Sequence, residues 1–232
     1  MALAVALAAV GQPAAAARPL GTDTAATAAA GTCQARGWTD RGGHRYRAPT
    51  AAPACGLASG LEIGADHTGA HARHAFAPVA GLALKWVPAQ GHRNTPFGGL
   101  DLGLKLSTGF EDAAGAGWRR RETTAIALAS LTPGAGWNLH ANLGGARDRS
   151  SRGNAGLLKL AATWAPRARA LLFAEVLANH RPEVFGGAVR SAGARAWLVK
   201  DRVDLDLSAS AQAGSDAPAR WSVGIGWHGP GF

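Results

Sequence analysis

A period of two runs through most of this chain. The stretch FGGLDLGLKLSTGF, residues 97 to 110, sets leucine at every second position from Leu100 to Leu106, with Asp101, Gly103, Lys105 and Ser107 in the slots that follow. Residues in a helix advance about 100° each, so leucines spaced by two scatter around its axis; in a strand they share one face. Each glycine adds to the case, costing about 1 kcal/mol relative to alanine in a helix interior. The alternation returns with Leu57, Leu61 and Ile63, with Leu82, Leu84 and Trp86, and with Trp137, Leu139, Ala141 and Leu143. It returns again with Val203, Leu205 and Leu207, and with Trp221, Val223, Ile225 and Trp227. The chain reads as all-β.

What the apolar faces meet follows from the connections. Short turn signals (TPGAG at 132 to 136, APRA at 165 to 168, VKD at 199 to 201) alternate with longer stretches near 110–119, 148–153, 181–186 and 214–218. Outer-membrane barrels join their strands in this way, short turns on the periplasmic side and long loops outside. Nothing in a soluble β-sandwich requires it. The runs are also longer than the 5 to 6 residues of typical soluble strands and suit a tilted membrane crossing. The reading is an antiparallel transmembrane β-barrel of twelve strands, at roughly 32–40, 44–50, 55–66, 73–88, 97–109, 120–131, 136–147, 154–165, 169–180, 187–198, 202–213 and 219–229. Ten strands is the alternative, with the N-terminal segments outside the wall.

Composition fits a membrane face better than a water-coated one, since charged residues make up only 17% of the chain. The net charge of +9 raises nucleic acid as a partner, but the basic residues are spread along the sequence and no nucleic-acid motif accompanies them. Phosphate-rich lipid is an equally good target. Tryptophans belong in the aromatic girdles at the two interfaces. Trp86, Trp137, Trp164, Trp197 and Trp227 fall at periplasmic strand ends, and Trp38, Trp118 and Trp221 at outer ends.

The apolar run from Ala2 to Val10, followed by small residues to Ala17, has the form of a signal peptide over 1–17, with an alanine-rich tail as the other reading. Residues 18–31 then form an N-terminal periplasmic segment and 32–232 the barrel. Cys33 and Cys55 make one disulfide in an oxidising compartment, the alternative being two buried thiols.

The slots opposite the apolar faces place Glu62, Lys85, Asp101, Lys105, His140, Lys159, Glu175, Asp204 and Asp206 in the lumen. Buried charges must be paired or hydrated, so mixed signs are expected there, either as a structural ion-pair network or as a polar permeation path. His140 is the best candidate for a general base, with Ser208 or Ser210 the nearest nucleophile types, but no nucleophile motif frames them, and the expectation is no enzyme, no metal and no cofactor. Arg119, Arg120, Arg121, Arg149, Arg152 and Arg181 gather at the outer rim, where they can reach lipopolysaccharide phosphates.

Several stretches carry a family likeness: RPLGTDTAATAAAGTCQARGW (18 to 38), APAC (52 to 55), LALKW (82 to 86), FAEVLANHRPEVFGGAVR (173 to 190) and WLVKDRVDLDLS (197 to 208). Together they resemble the proteobacterial outer-membrane β-barrel family named for the MetA pathway of phenol degradation. Thr24 and Arg36 stand where that pattern usually has acids. The resemblance implies a genomic association with aromatic degradation and a transport role. The terminal Phe232 is similar to the aromatic that such barrels present to the barrel assembly machinery, although HGPGF must break the register of the last strand. The expected function is a passive pore or uptake channel for small, aromatic or apolar solutes in the outer membrane of a Gram-negative bacterium. The rivals are a non-conducting structural barrel and a soluble exported all-β binding protein.

Overall fold

Each two-faced run becomes a strand of one closed wall. The structure is a computed structural model and describes residues 20–42, 46–72, 75–112, 117–149, 153–179, 188–213 and 219–231; the 1–17 segment, Arg152, Arg181 and Phe232 lie outside them. The strands are β1 (Thr32–Gly42), β2 (Tyr46–Ala58), β3 (Leu61–Ala72), β4 (Ala75–Trp86), β5 (Arg93–Thr95), β6 (Gly98–Asp112), β7 (Trp118–Gly134), β8 (Trp137–Asp148), β9 (Asn154–Arg167), β10 (Ala170–Asn179), β11 (Val189–Val199), β12 (Val203–Gln212) and β13 (Arg220–Gly231). All neighbours pair antiparallel. Pairing of β4 with β6 and of β1 with β13 closes the sheet, and β5 only edges the 87–97 connection, so twelve strands make the barrel.

The outer surface is the greasy one. Leu104 is 50% exposed, and Leu82, Leu84, Leu102, Leu106, Leu158, Leu160, Leu205, Leu207, Val223 and Ile225 are all exposed with it. An exposed apolar surface of this extent, flanked by aromatic rings, is one that faces lipid. At the end with the tight turns, Trp86, Trp137, Trp164 and Trp227 point outward, and Trp137 stacks on Trp164 with ring centroids 5.8 Å apart. Trp118 and Trp221 do the same at the opposite end. Two of the eight tryptophans depart from the girdle expectation: Trp38 shares the inward parity of Gln34 and Arg36, and Trp197 that of Arg195, where it packs against the His228 ring.

Two boundaries also move. The expected strand 55–66 is the junction of β2 and β3, which turn at Ser59 and Gly60. Leu57, Leu61 and Ile63 keep one parity through that turn and so imitate a single strand. β2 itself is weak in sequence because Pro49 and Pro53 have no N–H to give, and its ladder to β3 skips both. The two cysteines therefore sit opposite one another on adjacent strands, β1 and β2, and are disulfide-bonded. β13 does break register near its end: Gln34 opposes His228, but Thr32 opposes Gly231.

Candidate functional site in the barrel lumen

Inverting the usual layering leaves the polar side chains inside. Glu62, Lys85, His140, Glu175, Asp204 and Asp206 are buried, and Lys105 and Lys159 are half-buried and line the same internal cavity. Asp101 lies nearer the rim of the turn end, partly exposed, where its Oδ1 is 2.8 Å from His92 Nδ1 in the 87–97 connection.

The lumen is not empty. Residues 20–31, expected as a periplasmic segment, run inside the wall as a strap, which corrects that placement. The strap leaves β1 at the turn end, where Gly31 N donates to Gly56 O, and rises to mid-lumen. It needs the missing side chain of Gly56, whose Cβ would fall 2.3 Å from Ala29 O. With no helix or ladder to satisfy it, the strap's backbone bonds to wall side chains. Ala28 N donates to Glu62, Ala25 N to Ser130 Oγ, Asp23 N to Asn142 Oδ1, and Gly21 N and Thr22 N to the two oxygens of Glu175. In return Lys85 donates to Ala26 O, Asn142 to Asp23 O and Lys159 to Gly21 O, at 2.8 to 3.0 Å. Two small apolar contacts add to these: Leu20 with Phe173 and Ala161, and Ala25 with Ile126 and Leu128. Thr22 and Asp23 are buried, and Asp23 Oδ1 lies 2.7 Å from Lys105 Nζ.

Away from the strap, Asp204 is the centre of a second cluster. Its carboxylate accepts from Arg36 Nη2 at 2.7 and 2.9 Å, lies 3.2 Å from Arg195 Nε and 2.9 Å from His228 Nε2, while Arg36 Nη1 reaches Asp206 at 3.4 Å. Of the charge-pairing partners, Arg36 stands out in the sequence only as a departure from the family pattern, and Arg195, His228 and the strap anchors Ser130 and Asn142 are not among the lumen residues read from it. Strand parity was the available signal, since all five lie on inward positions.

His140 does meet a serine, but it is Ser130, with Oγ 2.8 Å from Nδ1, and not Ser208 or Ser210. Ser130 Oγ also accepts from Ala25 N, which places the strap directly over the pair. Ser130 anchors the strap, and His140 holds the serine from behind. At the opposite rim Arg119, Arg120 and Arg149 are exposed and Arg121 is partly exposed, its Nε 3.9 Å from Glu111. Among the described residues no group of three potential ligands is placed to hold a metal ion.

Comparison with known proteins identifies the architecture. No family model and no curated protein matches the sequence. Among solved structures, the NanC porin superposes with a TM-score of 0.60 at 10% identity, covering 84% of this chain and 98% of that one. The KdgM porin, in a structure described as a complex with disordered oligogalacturonate, gives 0.58 at 6% identity over the same shares. The shared fold is a closed twelve-strand antiparallel barrel of the outer-membrane kind.

Proposed function

We propose that this protein is a passive outer-membrane channel for small solutes in a Gram-negative bacterium, with residues 20–31 narrowing its path. The observation that carries the reading is a cavity of about 440 Å³ inside the wall, beside the strap, lined by Lys105, Lys159, Asp66 and Trp38 and reaching Ala178 and Val189 next to the 180–188 connection. A barrel of this size lies between side-chain-filled eight-strand barrels and the open porins of 16 to 18 strands. A narrowed, polar path is what such an interior can provide.

The finer assignment, to a MetA-like family and to aromatic or apolar solutes, rests on the sequence resemblance and on the apolar part of the cavity wall, Leu20, Leu157 and Leu177. We assign no enzymatic role. The rim residues Arg119, Arg120, Arg121 and Arg149 are proposed to contact lipopolysaccharide phosphates, and Arg152 and Arg181 are included with them on sequence alone. Entry into the membrane is assigned to the barrel assembly machinery.

One observation favours a second reading, a non-conducting barrel: the strap fills much of the turn-end half of the lumen. Planar-bilayer recording separates the two. Discrete channel events from the full-length protein support the channel. Silence from both that protein and a variant lacking residues 20–31 leaves only the scaffold, and recovery of the protein in the soluble periplasm removes both readings.

A further inference from the structure

We propose that the lumenal position filled by the Asp23 carboxylate is a binding site for small monocarboxylates, and that a solute carboxylate displaces Asp23 from Lys105. This deepens the channel reading by naming the head group the lumen recognises, and it rests on that reading only in requiring that solutes reach the cavity.

The wall carries an electrostatic conflict that the strap resolves. Lys85 and Lys105 stand directly opposite one another on β4 and β6, an arrangement of like charges that is destabilising by itself. Glu62 of the wall serves Lys85, at 3.3 Å. Lys105 takes its carboxylate from the strap, with Asp23 Oδ1 at 2.7 Å. A second ammonium, Lys159, faces the same strap turn through Gly21 O, and Asn142, directly opposite Lys159 in register, holds the Asp23 backbone at both N–H and C=O. Two ammonium groups, Lys105 and Lys159, thus meet the 21–23 turn, which is not part of the wall and supplies the Asp23 carboxylate, while the wall's Glu175 binds the same turn through Gly21 N and Thr22 N. The Asp23 carboxylate is tethered to a segment held by hydrogen bonds and two small contacts, so it can be exchanged where a wall residue could not.

The room for an incoming group lies alongside. Lys105, Lys159 and Asp23 all line the cavity of about 440 Å³, whose other walls include Leu20, Leu157 and Leu177. That volume is at the lower end for small-molecule sites and suits a carboxylate on a compact apolar body. Asp66 lines the cavity too, but replacing one carboxylate with another leaves the local charge unchanged.

Calorimetric titration of the full-length barrel in detergent micelles, with benzoate and its neutral counterpart benzamide, tests the site. Benzoate is expected to bind and benzamide to bind at least tenfold more weakly. Asp23→Asn should tighten benzoate about tenfold, because a tethered competitor acts at an effective concentration in the millimolar range. Adding Lys105→Met to that variant should abolish the gain. Equal binding of the two ligands, or no change in benzoate affinity on Asp23→Asn, overturns the proposal. Should heat-modifiable gel mobility show Asp23→Asn unfolded, Lys159→Met keeps the Asp23–Lys105 pair and must still weaken benzoate; unchanged affinity overturns the site. Binding in micelles is independent of conduction, so a silent barrel that binds benzoate loses the channel and keeps the site.

Discussion

Arg36 and Asp204 meet across a strand that separates them. Arg36 on β1 is in register with Gly226 on β13, and Gly226 with Asp204 on β12, so the guanidinium crosses a position without a side chain to reach the carboxylate at 2.7 Å. A Cβ on Gly226 would stand 2.4 Å from Asp204 Oδ2 and 2.7 Å from Arg36 Nη2. Both partners are buried, and a buried charge that loses its partner costs about 3–5 kcal/mol. Asp204→Ala, which removes the carboxylate shared by Arg36, Arg195 and His228 and leaves Asp206 beside the two guanidinium groups, should therefore destabilise the barrel by up to about that amount. Urea unfolding from lipid vesicles measures it. Gly226→Ala should lower the same midpoint without removing any charge, and a wild-type midpoint in either variant means the cluster does not hold the wall.

The opposite face makes a different demand. Leu104 is on the outward side of β6, midway along the strand and half exposed. A cation on the lipid face near the bilayer midplane costs about 2–4 kcal/mol. Leu104→Arg should lose about that much stability in vesicles and reduce the fraction that runs as folded barrel on a cold gel. Full assembly at wild-type stability would mean that the leucines do not face lipid.

These two faces were readable in sequence for the same reason: a strand that divides lipid from lumen must alternate, and Leu100 to Leu106 or Val203 to Leu207 could not do otherwise. The strap left no such trace. Residues 20–31 are mostly small, without apolar periodicity, and they are held through backbone N–H and C=O groups that every residue carries. Their partners Glu175, Asn142 and Ser130 are scattered over β10, β8 and β7, so no spacing in the sequence connects them. The Asp204 cluster was half legible. Its acids stood out on β12, but Arg36 reaches them only because β1 and β13 close the barrel, a pairing that joins the two ends of the wall.

The 87–97 connection carries a pH-sensitive contact outside the membrane wall. His92 Nδ1 lies 2.8 Å from Asp101 Oδ1, and this hydrogen bond, followed by the charge of the same carboxylate, raises the His92 pKa above its ordinary value. A raised folded-state pKa gives a contribution that is complete below the ordinary imidazole pKa and is lost as pH rises through the raised one. Amide exchange in 87–97 should accordingly speed up from mildly acidic to mildly alkaline pH, beyond the intrinsic change. Asp101→Asn should flatten that difference. An identical pH profile in the variant would detach the effect from this pair.

Glu175 decides how firmly the strap stays in the lumen. Its two oxygens accept from Gly21 N, Thr22 N and Thr22 Oγ1 as well as from Ser191, so a single wall carboxylate holds three strap donors near the buried end of the segment. Hydrogen bonds to a charged group contribute about 1.5–3 kcal/mol each, and water replaces part of that when the strap withdraws. Glu175→Ala should shift the strap equilibrium toward withdrawal by about one to two powers of ten, corresponding to the loss of one such bond net. Two readouts must move together: faster amide exchange at Gly21 to Asp23, and longer or larger openings in planar bilayers. Glu175→Gln keeps one acceptor oxygen, replaces the other with a donor amide and loses the charge, so it should fall between the wild type and Glu175→Ala. Faster exchange with unaltered current would show that the strap can leave without opening a path, and the constriction would then have to lie elsewhere in the wall.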